Sequence, residues 1–322
     1  MRIIHVLTEL ESPTLAGYQT IQSQLQTYLH EATDNSKFLL TIERHLKILQ
    51  MAKSFQAVTV MLPNLMQGLK TIWTMSKYYN KDERFVPLME KIVNEIIDRV
   101  RQTIDITTLF TSHSLIEGKD LCHQAKYLLL QWKIEYQNIR SKLENDQRAF
   151  LTWNFDYRIL FDRTDYMSQI CDDLIRMSLN LQEFYEIFGS EMKAVTGDEP
   201  MVDRILQHVS ELKKTFAFCQ FDIFDRENAQ QWRTLIEEFQ HRSTLIEQEA
   251  KGFIHASFTQ LRSAETALDM LMKFQKIDTT YVLAHEMIQQ FSAILVQYCK
   301  EVETLSELFM RYKNHPPICK VS

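Results

Sequence analysis

The sequence predicts an all-α protein, an elongated series of helical bundles with long amphipathic helices, and three observations carry that reading. Only 6 Gly and 6 Pro occur in 322 residues, well below the usual usage of about 7% and 5%, so the breakers that sheets and tight turns require are scarce. Apolar residues recur at three- and four-residue steps along much of the chain, which is the spacing of one buried helix face. Hydrophobic residues make up 45% and charged residues 24%, both near the globular norm, which predicts a folded core.

The breakers divide the chain into elements. Ser12-Pro13, Pro63, Pro87, Gly118, Gly189, the turn Thr196-Gly197-Asp198-Glu199-Pro200 and the closing Pro316-Pro317 are the punctuation. Leu65, Leu69, Ile72, Trp73 and Ser76 trace one face, and a break is expected near residues 80–86. The pairs Leu88/Met89, Ile92/Val93 and Ile96/Ile97 then lead to Val100, with Pro87 in the first turn and Asn80 or Asp82 as the cap. A weaker stripe, Leu128, Trp132, Ile139 and Leu143, ends in the polar run Glu144-Asn145-Asp146-Gln147-Arg148, either a linker or a solvated helix end. We place a division there, with one bundle over residues 1–150 and a second over 151–322.

The strongest helix signal follows. Met167, Ile170, Cys171, Leu174, Ser178, Leu181, Phe184/Tyr185 and Phe188 form one face that is expected to stop at Gly189, as a C-terminal glycine should end it. Asp198 and Pro200 then restart a helix through Val202, Ile205, Leu206, Val209 and Leu212. Residues 216–232 are rich in aromatics and less periodic.

The C-terminal third has the most regular pattern. Ile288, Leu295, Val302 and Phe309 hold one heptad position and Phe291, Tyr298, Leu305 and Tyr312 the other. These eight residues form a possible helix-packing seam. With only four heptads, and with tyrosines at two core positions, the buried stripe of a bundle helix is favoured over a parallel two-stranded coil.

Charge and cysteine usage exclude several classes. A net charge of -6 leaves no basic footprint for nucleic acid. No apolar run reaches a membrane-spanning length, and no basic amphipathic helix suits a membrane surface. Cys122, Cys171, Cys219, Cys299 and Cys319 are widely spaced without a CxxC pair, so neither a disulfide framework nor a zinc site is indicated.

Chemistry is hard to find. No GxxxxGK[ST], GxGxxG or GxSxG motif occurs. The string from Lys193 to Asp198 has one glycine and reads as a turn, not a phosphate loop. His113, Cys122 and His123 match no common metal spacing and are expected to lie on a helix surface. Cys171 reads as a core residue. The doublets Asp82-Glu83, Asp172-Asp173 and Glu237-Glu238 place adjacent carboxylates about 100° apart on a helix, which predicts solvated faces in place of acid/base pairs. No catalytic, cofactor or metal residue is assigned, and the chain is expected not to be an enzyme.

Three segments carry a resemblance to a known family. They are Glu31 to His45 (EATDNSKFLLTIERH), Ser76 to Arg84 (SKYYNKDER) and Phe155 to Asp198, which contains FDRTDYMSQICDDL and FYEIFGSEMKAVTGD. In order and over nearly the whole chain they resemble the N-terminal tail region of dynein heavy chains, most closely the two-headed inner-arm axonemal class. The resemblance implies a non-catalytic stem of helical bundles that assembles with another dynein heavy chain and with intermediate chains and light chains. It also implies an indirect link to the microtubule doublet and a location in the cytoplasm, the cytoskeleton and the axoneme of a cilium or flagellum. Heavy chains continue far past the point where this sequence stops, so a fragment or truncated product is implied, with ATP hydrolysis belonging to a distant motor. A helical adaptor or tethering subunit unrelated to motors is the rival reading that composition alone allows.

Overall fold

The computed structural model describes residues 2–111, 115–145, 152–259, 263–277 and 284–315. Among them the regular structure is helical, with no strand, as the scarcity of breakers predicts. The helices are α1 Arg2–Glu9, α2 Leu15–Met51, α3 Phe55–Met75, α4 Asp82–Thr103, α5 Ile106–Thr111, α6 Leu115–Glu144, α7 Arg158–Ile187, α8 Ser190–Thr196, α9 Glu199–Ala217, α10 Ala229–Thr259, α11 Ala264–Ile277 and α12 Ala284–Asn314. A 3-10 turn at Arg226–Asn228 precedes α10.

Two compact units share these helices: Met1–Ile104 with Leu121–Asp172, and Asp105–Asp120 with Asp173–Ser322. In the first unit the core is apolar and aromatic. α3 buries Phe55, Val58, Leu62, Leu65, Leu69 and Ile72, while α4 buries Phe85, Met89, Ile92, Val93, Ile96 and Val100. Both stripes repeat at three or four residues, so each helix hides one face. Rings tie the helices together: Trp73 of α3 lies 4.9 Å from Phe85 of α4, and Tyr136 of α6 meets Phe161 of α7 edge-on at 5.0 Å. Such offset and edge arrangements are the favoured geometries for aromatic pairs. The weak stripe of α6 is fuller than its four predicted members, because Cys122, Ala125, Leu129 and Tyr136 are also buried.

The second unit is organised around α9 and α10. Asp198 caps α9 by accepting the Met201 N–H at 3.2 Å, and Gly197 sits in the left-handed region at φ 69°. The predicted turn therefore has the conformation its residues favour. α9 buries Val202, Ile205, Val209, Leu212 and Phe216, packing on α5 and α10. Trp232, Phe239, Ser243, Ile246, Ala250, Phe253 and Phe258 form the buried stripe of α10. α11 packs along α12, and the rings of Phe258 and Phe274 stand 5.5 Å apart.

Several breakers do not break. Pro63 lies inside α3 and Pro87 inside α4, beyond its first turn. Both are on exposed faces, where the carbonyl left without a donor can be solvated. Lys81 is the residue before α4 and makes no side-chain cap bond, so neither Asn80 nor Asp82 is the cap. Gly118 is buried within α6, where an added Cβ would come 2.9 Å from Leu109 Cγ, so packing against α5 selects it. Gly189 does mark a break: α7 ends at Ile187, and Gly189, with φ -79°, precedes α8 as its N-cap. The polar run at 144–148 and Pro316-Pro317 fall mostly or wholly outside the described residues.

Candidate helix-docking surfaces

The three resemblance strings serve packing. In the first unit, Ser76 donates to the Asp34 carboxylate, while its oxygen accepts the N–H groups of Tyr78 and Tyr79 at 3.2 and 3.0 Å. One residue from the first string and three from the second thus form a clasp that closes the α3–α4 loop against α2. Arg84 pairs with Glu31 and lies 5.9 Å over the Tyr78 ring. The hydrogen bond to Glu31 holds the Arg84 guanidinium above its ordinary pKa. Farther on, Arg163 donates to Asn94 at 2.5 Å and Lys126 pairs with Asp172 at 2.6 Å.

The second-unit portion is likewise structural. Lys193 pairs with Asp203 at 2.5 Å across the α8–α9 turn, so the lysine of the apparent phosphate-loop string is engaged. Asp173 is a correction to the solvated-face expectation. It is 7% exposed, accepts the Trp232 indole N–H at 2.9 Å and pairs with Arg176. Asp172, one residue earlier, is half-exposed on its own salt bridge. Adjacent helix positions point apart, so only one member of the doublet turns inward.

The cysteine and histidine candidates do not converge. Cys122 is fully buried, not on the surface, whereas the adjacent His123 is exposed. His113 lies outside the described residues. Burial pushes the Cys122 thiol up to about 12, and burial raises that of Cys171 as well. Thiols held neutral in apolar surroundings are poor nucleophiles and poor ligands.

The predicted C-terminal seam is exposed along its whole length. Its least exposed member is Val302 at 46% and its most exposed Phe309 at 66%. The expectation of a stripe buried within the same bundle is therefore corrected: among the described residues nothing covers it. α11 takes a flanking line of α12 instead, burying Ile294. Beside that line runs a groove of about 520 Å³, lined by Ala264, Leu268, Phe291, Ile294, Leu295 and Tyr298, with Glu265 and Glu301 at its edge.

A second apolar surface was not marked from sequence. Ile3 and Val6 on α1, Leu10 just after it, and Ile21, Leu25, Tyr28 and Leu29 on α2 are all exposed. The steps from Ile21 to Leu25 to Tyr28 were a usable signal, since they repeat the three/four alternation of a packed helix. Contiguous exposed apolar faces of this kind mark protein-binding surfaces.

Comparison with known proteins agrees with the three strings. The family model described as dynein heavy chain, N-terminal region 1, matches residues 1–321. Dynein axonemal heavy chain 10 of Homo sapiens is 38% identical over 239 residues, covering 74% of this chain and 5% of the human protein. The dynein-1-alpha heavy chain of the flagellar inner arm I1 complex of Chlamydomonas reinhardtii is 33% identical over 289 residues, covering 89% and 6%. The dynein beta chain of the flagellar outer arm of the same organism is 25% identical over 332 residues, covering 100% and 7%. The chain thus spans between 5% and 7% of the length of these relatives. With a family match over essentially every residue, a helical structure and motif strings that build its internal clasps, the chain belongs to the dynein heavy chain N-terminal region 1 family.

Proposed function

We propose that this chain is a non-catalytic tail segment of an axonemal dynein heavy chain, providing helical surfaces for assembly with another heavy chain and with intermediate and light chains. In that role it helps anchor a motor complex for microtubule-based ciliary or flagellar movement, and it acts in the axoneme. The observation that carries the reading is the family match over residues 1–321, joined to two exposed apolar helix faces. The relatives named for axonemal and flagellar-arm dyneins support the location.

Coexpression tests it directly. The tagged 322-residue chain is expected to co-elute in fixed stoichiometry with a partner heavy-chain tail or an intermediate chain of an inner arm. A folded chain that elutes alone from both, or that associates with vesicle-tethering components instead, overturns the reading in favour of an adaptor unrelated to motors.

A further inference from the structure

The geometry points to Ser12 as a phosphorylation site, the acceptor for a protein kinase that requires proline at the following position. Ser12-Pro13 is the single Ser-Pro or Thr-Pro pair in the 322 residues, so a kinase of that specificity has one acceptor in this chain. The pair lies in the corner between α1 and α2. Leu10, Glu11, Pro13 and Thr14 around it are exposed, and Ser12 itself is half-exposed.

The backbone of this corner favours opening. Glu11 is held at φ 45°, in the left-handed region that a residue with a Cβ occupies at a cost, so drawing the corner out into an extended segment releases strain. Hydroxyls within α2 are placed differently. Thr20, Thr27 and Thr33 donate to the carbonyls of Ala16, Ser23 and Leu29, four residues back, and a helical segment cannot be laid through a kinase cleft without unwinding. Pro13 adds selectivity. Having no N–H, it leaves no donor unpaired when its ring enters a dry apolar pocket, whereas any other residue would.

The reaction is phosphoryl transfer from a nucleoside triphosphate. Ser12 Oγ attacks the γ-phosphorus, the bond from that phosphorus to the β–γ bridging oxygen breaks, the nucleoside diphosphate leaves, and the hydroxyl proton passes to the kinase's carboxylate base.

The consequence follows from what Ser12 already holds. Its Oγ accepts the Thr14 N–H at 3.3 Å and lies 2.8 Å from Thr14 Oγ1, and its carbonyl accepts the Leu15 N–H at 3.1 Å. No acidic residue stands in the first turn of α2. A phosphate brings about -1.5 to -2 charges at neutral pH and three strong acceptor oxygens, which stabilise the beginning of a helix. Modification therefore firms the α1–α2 corner; it does not unfold it. The site stands independently of the scaffold reading, since it asks nothing of partner subunits.

The test incubates the folded 322-residue chain with magnesium, ATP and a cyclin-dependent kinase, and maps the product by peptide mass spectrometry. One phosphoryl group on Ser12 is expected. Ser12→Ala should abolish it, and Pro13→Ala should lower the initial rate at least about tenfold, with far-ultraviolet circular dichroism unchanged in both. No modification of the folded chain overturns the proposal, whether or not a synthetic peptide of residues 6–18 is modified. Equal modification of the Pro13→Ala chain, or preference for another hydroxyl, also overturns it. Hydrogen exchange reads the consequence: amides of residues 14–18 should exchange about two- to fivefold more slowly in the phosphorylated chain, with the difference shrinking as pH falls below about 6 and the phosphate loses charge. Unchanged or faster exchange overturns the firming of the corner.

Discussion

The indole N–H of Trp232 donates to the Asp173 carboxylate at 2.9 Å, joining α10 to the C-terminal half of α7 within the second unit. Both residues are buried, and Arg176 supplies the countercharge. Replacing Asp173 by Ala leaves a buried indole donor without its acceptor, which costs about 1–3 kcal/mol. Trp232→Phe removes the donor but leaves Arg176 on the carboxylate, and is expected to cost less through that bond. Urea unfolding of both variants checks the order; an Asp173→Ala midpoint equal to that of the unsubstituted chain would show that the bond does not hold the unit.

The Ser76 clasp gives a second case. Ser76→Ala removes one donor to Asp34 and the acceptor of two backbone N–H groups together. A loss of about 1–2 kcal/mol is expected, in the range of a lost cap plus a weakened hydrogen bond to a half-buried carboxylate. Asp34→Ala should be less than additive with it, because the two share one interaction. A double-mutant cycle by denaturant titration measures the coupling, and strict additivity would contradict the clasp.

Two helical glycines should respond in opposite directions. Gly118→Ala places a Cβ 2.9 Å from Leu109 Cγ; overpacking costs about 1–3 kcal/mol against a helix-propensity gain of about 1 kcal/mol, so net destabilisation is expected. Gly252, in α10, has nothing within 4 Å of its added Cβ. Gly252→Ala should therefore stabilise by about 0.5–1 kcal/mol. Melting temperatures moving the same way for both variants would contradict the packing at Gly118.

Alkaline pH should loosen the first unit. Burial raises Cys122 from its usual 9.0 to about 12 and Tyr136 from 10.0 to about 12. Each folded-state value is raised, so the folded chain holds its proton where the unfolded chain releases it. The stability these groups contribute is complete below pH 9 and is lost as pH rises from 9 toward 12. Urea midpoints should fall across that window, and Cys122→Ala should flatten the fall. At neutral pH, exposed Cys299 should alkylate well before buried Cys122 and Cys171, as peptide mass spectrometry can follow.

Leu305 distinguishes an intramolecular seam from an open one. Because it is 65% exposed, Leu305→Asp should change stability by no more than about 0.5 kcal/mol. A loss of several kcal/mol would mean that the seam is buried within the chain.

Local spacing and composition were enough to predict the all-helical class and several of its helices. The stripes of α3, α4, α7 and α9 were legible because a 3.6-residue repeat writes the buried face directly into the order of residues. The Gly197-Asp198 turn was legible too, since a left-handed glycine followed by a capping carboxylate acts within a few residues. Pro63, Pro87 and Gly118 were misread as breakers because their cost depends on what faces them: solvent for the prolines, Leu109 for the glycine. Nothing near Asp173 in sequence shows that Trp232, 59 positions away, will supply its partner. The α12 heptads set which residues share a line but not whether anything lies against it. Periodicity alone determined the faces of this protein, whereas the tertiary structure decided which faces close on one another and which stay open, because burial is a relation between elements distant in the chain.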